Sequence, residues 1–361
     1  MPKPTEIATL EVNGQTFQDW EFVMVRRPFG DSYHYFQFSA AERDPAIVKP
    51  SNKLADWTKL QFKPGDRCTV KLAGQLAITG FIETRQVAYD ANSHGVMLLG
   101  KSYTANAAKS SVDSKTGNFD NKTLPQATSE VWGQYGVPVK VIGTIDTTPF
   151  DKLQNNKGES CWDFTERIAR DRCARLAVDA FGSLLLVGDH SSPIVAGLVE
   201  GKNILSCQCI MDASMVFEQY DVHGSSQASD DHNGTDASEQ QATRTTSISG
   251  VLQSKLITPI EESVKYQNEM DLRAQFEQRI HDGTMIQATI TVQGWLREGM
   301  VLWSEGEHVH VYSPMIPLDR EMAIQQVIFM QDDKRGSVTV LTCVNPEFLN
   351  SQQTYDTSGS V

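Results

Sequence analysis

The chain has 361 residues, of which 40% are apolar, enough for two or three domains that each bury a core. Its 45 acidic residues outnumber 32 basic ones, a formal charge of −13 that disfavours tight nucleic-acid binding, since lysine and arginine must neutralise phosphates. No apolar run approaches the roughly 18 to 20 residues that span a bilayer, and MPKPTEIATL lacks a signal peptide's apolar stretch, so no membrane insertion is expected.

The first hundred residues read as strands. Asn13-Gly14, between IATLEV and QTFQDWEFVMV, predicts a hairpin, because a type I′ turn needs positive φ at both central positions. RPFGD (Arg27 to Asp31) turns the chain into SYHYFQFSA, whose alternation sets His34, Phe36 and Phe38 on one face and Tyr33, Tyr35 and Gln37 on the other. KPGD (Lys63 to Asp66) leads into RCTVKL, then LAITGFIETRQVAY. A polar hinge holding Asp90, Asn92 and Gly95 then leads to GVMLLGKSY. Residues 1–105 are expected to form a first small β-barrel.

From Thr104 to Lys122 the composition turns to Ser, Asn, Lys and Ala, and residues 106–122 read as a linker. Residues 123–190 read as a compact α/β module. LPQATSEVWGQYGVPVKVIG predicts a short helix and a strand, and Ser160 with Asp163 caps a second helix. Its apolar stripe is Cys161, Phe164, Ile168, Cys173 and Leu176, and LAVDAFGSLLLVG is a hairpin turning at Asp179 to Gly182.

Residues 191–348 return to strands, beginning with NILSCQCIM and MVFEQYDVHG. A polar loop at 225–247 has too little apolar content to offset its ordering entropy. A helix at 263–282 carries Leu272, Phe276 and Ile280 on one stripe and stops at Asp282-Gly283. Strands TMIQATITV, MVLW, EHVHVY, EMAIQQVIFMQ and SVTVLTCV follow, and residues 349–361 form a polar C-terminal tail.

The last hundred residues retrace the first. VAYDANSHGVMLLG returns as VIFMQDDKRGSVTVL, with Phe329 where Tyr89 stood and Gly336 where Gly95 stood, and PGDRCTVKL returns as EGEHVHVYS. The expected fold is therefore mixed and mainly β: two similar small β-barrel domains flanking the α/β module.

Candidate chemistry is sparse. No phosphate-binding glycine loop, nucleophile elbow or paired-histidine metal motif occurs. Cys68, Cys161, Cys173, Cys207, Cys209 and Cys343 lack C-x-x-C spacing and read as thiols, Cys207 and Cys209 sharing one strand face. His308 and His310 could face one side of a strand and hold a metal, but no third ligand is near, and they read as solvated strand residues. Asp221, His223, Asp230, Asp231 and His232 gather about the polar loop and read as solvated too. Glu159, Asp163, Glu166 and Asp171 could pair for glycan hydrolysis, but acids beside a helix start also stabilise its dipole. Trp20, Trp57, Trp132, Trp162, Trp295 and Trp303 are dispersed rather than gathered into a sugar platform. No catalytic residue, cofactor site or metal ligand is assigned, and an enzyme is disfavoured. A single-strand nucleic-acid barrel is disfavoured as well, because no Lys or Arg lies among the aromatics of SYHYFQFSA.

The layout resembles a family. The opening hairpin EVNGQTFQDWEFVMV, a barrel closing near GVMLLGKSY, the stretch GESCWDFTERIARDRCARLAVDAFGSLLLVG and a second barrel are similar to baseplate hub proteins of contractile-tailed phages. The nearest likeness is to the Mu-like tail proteins of the late control protein D type. The resemblance implies a virion structural protein, made in the host cytoplasm and placed in the tail baseplate. It implies a homotrimeric ring with pseudo-sixfold symmetry between the sixfold tail tube protein and the threefold central spike protein, with baseplate wedge proteins around it. DNA would pass without specific binding, past a lumen expected to be acidic so that it repels phosphate. Related hubs of secretion systems share the architecture. The alternative from another class is a cell-wall-binding or cell-wall-degrading protein acting through the middle module.

Overall fold

The computed structural model describes residues 6–42, 62–89, 94–225, 240–246, 248, 251, 253–263 and 267–352. Alternating apolar residues dictate the strands of the first part: β1 (Ala8–Val12), β2 (Gln15–Phe17), β3 (Phe22–Pro28), β4 (Tyr35–Glu42), β5 (Arg67–Leu72), β6 (Gln75–Tyr89) and β7 (His94–Ser102). Asn13 and Gly14 both take positive φ, 50° and 77°, and close the β1–β2 hairpin as their residue types require. Asp90 and Asn92 of the polar hinge lie outside the described residues.

The middle module contains α1 (Thr104–Lys109), α2 (Leu124–Gly133), β8 (Val139–Ile142), α3 (Cys161–Arg170), β9 (Arg175–Val178) and β10 (Leu184–Val187). Thr123 and Gln126 form a capping box at α2, and Ser160 Oγ accepts the Asp163 N–H at α3. Cys161, Phe164 and Ile168 turn inward and are fully buried, with Trp132 donating its indole N–H to Thr165 at 2.8 Å. Residues 106–122 do not stand apart as a linker. Ala107, Ala108, Val112 and Phe119 sit in this core, and Phe119 N–H donates to the Leu153 carbonyl. The small, widely spaced apolar residues there have no period that a sequence reading could detect.

The third part runs β11 (His190–Ser191), β12 (Ile194–Val199), β13 (Ile204–Met211), β14 (Phe217–Ser225), β15 (Gln240–Thr245), β16 (Gln253–Ser263) and α4 (Gln267–Gly283). It continues through β17 (Ile286–Gln293), β18 (Leu296–Arg297), β19 (Val301–Leu302), β20 (His308–Ser313), β21 (Leu318–Asp332) and β22 (Gly336–Val344). A 3₁₀ turn (Pro346–Leu349) and β23 (Ser351–Gln352) follow. Strand β15 lies within the segment read as a polar loop, of which 226–239 are outside the described residues. The start of the polar tail is also built in, since Leu349 and Asn350 are buried and β23 pairs with β11.

The two β parts are one repeat used twice. Strands β3, β4, β7, β6 and β5 are ordered as β13, β17, β22, β21 and β20 are, and both long strands carry a bulge against their hairpin partner. The bulges, between Ile82 and Thr84 and between Ile324 and Gln326, set the register: Phe329 answers to Val87 and Val338 to Gly95. Aligning on the hinge glycines misplaces the match by two positions, since Gly336 stands two residues before the counterpart of Gly95. The outermost strands differ, β1 meeting β5 antiparallel and β12 meeting β20 parallel. The second copy also houses β14, β15, β16 and α4 between β13 and β17, where the first has only the turn after Pro28.

The copies are not separate closed barrels. Strand β3 pairs with β21, so both join a single thirteen-stranded sheet, and its path from β13 to β2 has open ends among the described residues. One core spans both, from Leu10, Phe36, Phe38 and Ile78 to Trp295, Phe329 and Leu341.

At the first bulge the backbones crowd. A Cβ on Gly80 would lie 1.9 Å from the Lys101 carbonyl oxygen, whereas one on Gly95 would meet nothing nearer than 4.0 Å. Gly80→Ala should therefore cost about 1–3 kcal/mol in urea unfolding, as overpacking does, and Gly95→Ala should be close to neutral.

Candidate assembly interface

For a β-rich chain with a doubled unit, the informative surfaces are its strand edges, whose main-chain groups are satisfied only by another strand or water. One such edge is filled within the chain. Strand β3 lies antiparallel on the second half of β21, from Gln326 opposite Pro28 to Asp332 opposite Phe22. Val25 and Phe329 face one another there with no solvent exposure.

Polar contacts fasten the end of this joint. The Phe29 N–H donates to the Gln325 carbonyl at 2.7 Å, and Arg26 Nε donates to Gln326 Oε1. Arg27 reaches from β3 into the loop after β19, donating to Ser304 Oγ at 3.1 Å and Glu305 Oε1 at 2.9 Å. His34 is fully buried beside this pair, its Nε2 3.4 Å from Glu305 Oε1. Burial, with the Arg27 charge adding, holds the His34 imidazole well below its usual 6.5, so it is neutral. Burial pushes the Glu305 carboxyl upward, opposed by Arg27.

Two edges have no neighbour among the described residues. Strand β5 covers β6 only as far as Phe81, and beyond it Glu83 to Ala88 are all exposed. The same stretch of β21 is covered by β3 and buries Val327 and Phe329 completely. Among the described residues β13 pairs with β17 on one side only and leaves Leu205, Ile210 and Met211 at least half exposed. Its sequence ILSCQCIM contains no charge and no proline to guard that edge.

The residues weighed as chemical candidates lie elsewhere and are tied to structural partners. Glu159 pairs with Arg167, Glu166 with Arg170 and Asp171 with Arg273, while Asp163 accepts from Ser160. His308 is buried against Glu321 at 2.5 Å rather than solvated, its pKa lowered by desolvation, and His310 faces Asp319 at 3.1 Å. Asp221 pairs with Lys255, while Asp230, Asp231 and His232 lie outside the described residues. No group of three metal-ligating side chains occurs among the described residues. Sequence reasoning missed the two free edges, although the uncharged C-x-C strand was the available signal.

Three family models match the chain. They are Mu phage baseplate assembly protein GpP-like, N-terminal, over residues 7–102; baseplate hub protein gp44-like, second domain, over 104–188; and Mu phage baseplate assembly protein GpP, fourth domain, over 267–352. The baseplate hub protein gp44 of Escherichia phage Mu is 24% identical over 340 residues, 92% of this chain and 86% of that protein. The 43 kDa tail protein of prophage MuSo2 from Shewanella oneidensis superposes with a TM-score of 0.77 at 25% identity, over 96% of this chain and 99% of that one. The tail protein from Neisseria meningitidis MC58 has the same fold, with a TM-score of 0.77 at 18% identity over 96% of this chain and 99% of that one.

The buried histidine makes the joint sensitive to acid. Unfolded His34 takes up a proton near pH 6.5 while folded His34 stays neutral, so the stability it contributes is complete above that pH and is lost as pH falls below it. Each such histidine steepens the decline by at most about 1.4 kcal/mol per pH unit. Between pH 7.5 and 5.5 the urea midpoint of the wild type should fall more steeply than that of His34→Leu. Glu305 acts in the opposite sense but is present in both proteins, so the difference in slope isolates His34.

Proposed function

We propose that this chain, which belongs to the baseplate hub proteins of Mu-like phages, works as a ring of three copies at the centre of the tail baseplate. The observation that carries this reading is the repeat. One chain holds two like units joined edge to edge, with one further edge in each unit left unpaired among the described residues. Three such chains would present six similar units, matching a sixfold tail tube on one side and a threefold central spike on the other. Head-to-tail contacts of this kind close into rings. Wedge proteins would meet the outer surface. The placement in the virion accords with the tail-protein relatives, and no helix among the described residues is long and apolar enough to cross a membrane.

In such a ring DNA would pass along the axis without specific binding. The joined sheet has one face on the core, and the opposite face is the one available to line that passage. That face carries Gln37, Ser39, Gln287, Thr289, Thr291, Gln326 and Thr342, with Met24, Met97 and Ile328 between them. Its charges are few: Arg26 bonds Gln326, and Lys101 is paired with Glu83 at 2.7 Å. With that face at the axis, amides and hydroxyls would line the passage more than the acids expected, and would offer a passing phosphate neither attraction nor strong repulsion.

Light scattering or native mass spectrometry tests the ring. The expected result is a species of three times the 40.1 kDa chain mass, seen as a ring in negative stain. A monomer at every micromolar concentration, alone and with tail tube protein added, would overturn it.

A further inference from the structure

After β22 the backbone leaves the large sheet and threads between the middle module and α4. Phe348, Leu349, Asn350 and Ser351 are all buried there. Phe348 lies on Gly283 at the end of α4, so close that a Cβ on that glycine would stand 2.6 Å from the Phe348 Cβ. Its ring also faces the Arg175 guanidinium of the module at 4.6 Å. Strand β23 then adds to β11, which follows the module in the chain.

Asn350 is the point where these contacts meet. Its φ of 57° is left-handed, a conformation that Asn and Gly tolerate better than other residues. The side-chain amide enters the module, where Nδ2 donates to the Cys173 carbonyl at 2.6 Å and to the Val187 carbonyl at 3.1 Å. These two carbonyls lie on either side of the open end of the β9–β10 hairpin. The Asn350 carbonyl accepts the His190 N–H, and its Oδ1 accepts from Arg279 of α4 at 3.4 Å.

We propose that residues 346–352 are a clasp, with Asn350 as its pin, that fixes the orientation of the middle module. With the clasp open, the module turns on the sheet as one body. Three observations support this. The module has a core of its own, which shares no residue with the core of the large sheet. The apolar seam between the two takes Phe348 and Leu349 from the clasp, and with Phe29 these are its largest buried members. The pairs of Arg172 with Glu269 and of Arg273 with Asp171 also cross to α4, but buried ion pairs return little beyond their desolvation, so they orient the module without holding it.

Thr79 reports on the module from its far side. Its N–H, in β6 of the first repeat, donates to the Ala180 carbonyl at the tip of the β9–β10 hairpin, opposite the end that Asn350 grips. Hydrogen exchange of the full chain, read by fragmentation mass spectrometry, therefore separates a swinging module from a loosened loop. Asn350→Asp keeps the side-chain shape and replaces the amide donor by an acceptor. It should speed exchange at Thr79 by at least about tenfold, as the loss of two buried hydrogen bonds implies. Gly283→Ala acts from the other side, pushing Phe348 off α4 without touching the module, and should do the same. Amides of α3, β17 and β22 should keep wild-type rates in both variants, because the two cores stay closed.

Faster exchange confined to His190, with Thr79 at the wild-type rate in both variants, would show that the segment pins only its own loop and would overturn the clasp. Loss of protection in α3 and the sheet along with Thr79, in both variants, would overturn it as well, since module and sheet would then open as a single unit.

Discussion

The antiparallel contact between β3 and β21 is the constraint on which the rest of this molecule depends. It brings together strands some three hundred residues apart and makes two repeats into one sheet with one core. Strand β21 can do this because it is fifteen residues long. Its first stretch holds β20, its second holds β3, and the bulge between Ile324 and Gln326 lies where one neighbour gives way to the other. A bulge bends its strand and increases the local twist, which re-aims the second stretch away from its own repeat. Strand β6 has the same length and an equivalent bulge, but no described residue covers its second stretch.

The middle module and α4 are fastened to this frame by charge as well as by packing. Arg172 pairs with Glu269 at 2.7 Å and Arg273 with Asp171 at 2.8 Å, and all four side chains are nearly or fully buried. Arg279 reaches from the same helix to Asp189. Buried pairs repay little of their desolvation, so their use here is orientation: α4 seats in one register against the end of α3. An apolar seam runs alongside, in which Phe29, Ala177, Val187, Ala323, Val344 and Phe348 come from all three parts of the chain. The module therefore rests on the end of the β21–β22 hairpin, close to the joint.

Local order was legible wherever a residue carries its own physical reason. Asn13-Gly14 admits few backbones other than a tight hairpin turn, and Ser160 supplies the hydroxyl that an unsatisfied helix N–H needs. The repeat was visible as well, but its register was not. Glycines draw the eye at a hinge, whereas register follows from ladder pairing and a shared bulge. The parallel pairs β8–β10, β11–β23, β12–β20 and β14–β16 had no signal at all, since each joins strands across a crossover and leaves no turn residue to mark it.

The sequence alone determined the mainly β character, the duplication, the capped helices and the kinship to phage baseplate hubs. These rest on alternation, turn chemistry and caps, which act over a few residues. Tertiary structure decided that the repeats share one sheet, that the supposed linker is core, that His308 is buried against Glu321, and that β13 and outer β6 are left without neighbours among the described residues. Each of those is a pairing between distant segments, and a side chain's burial depends on what the rest of the chain brings to it. An edge is free only by comparison with its twin, and that comparison needs both copies folded.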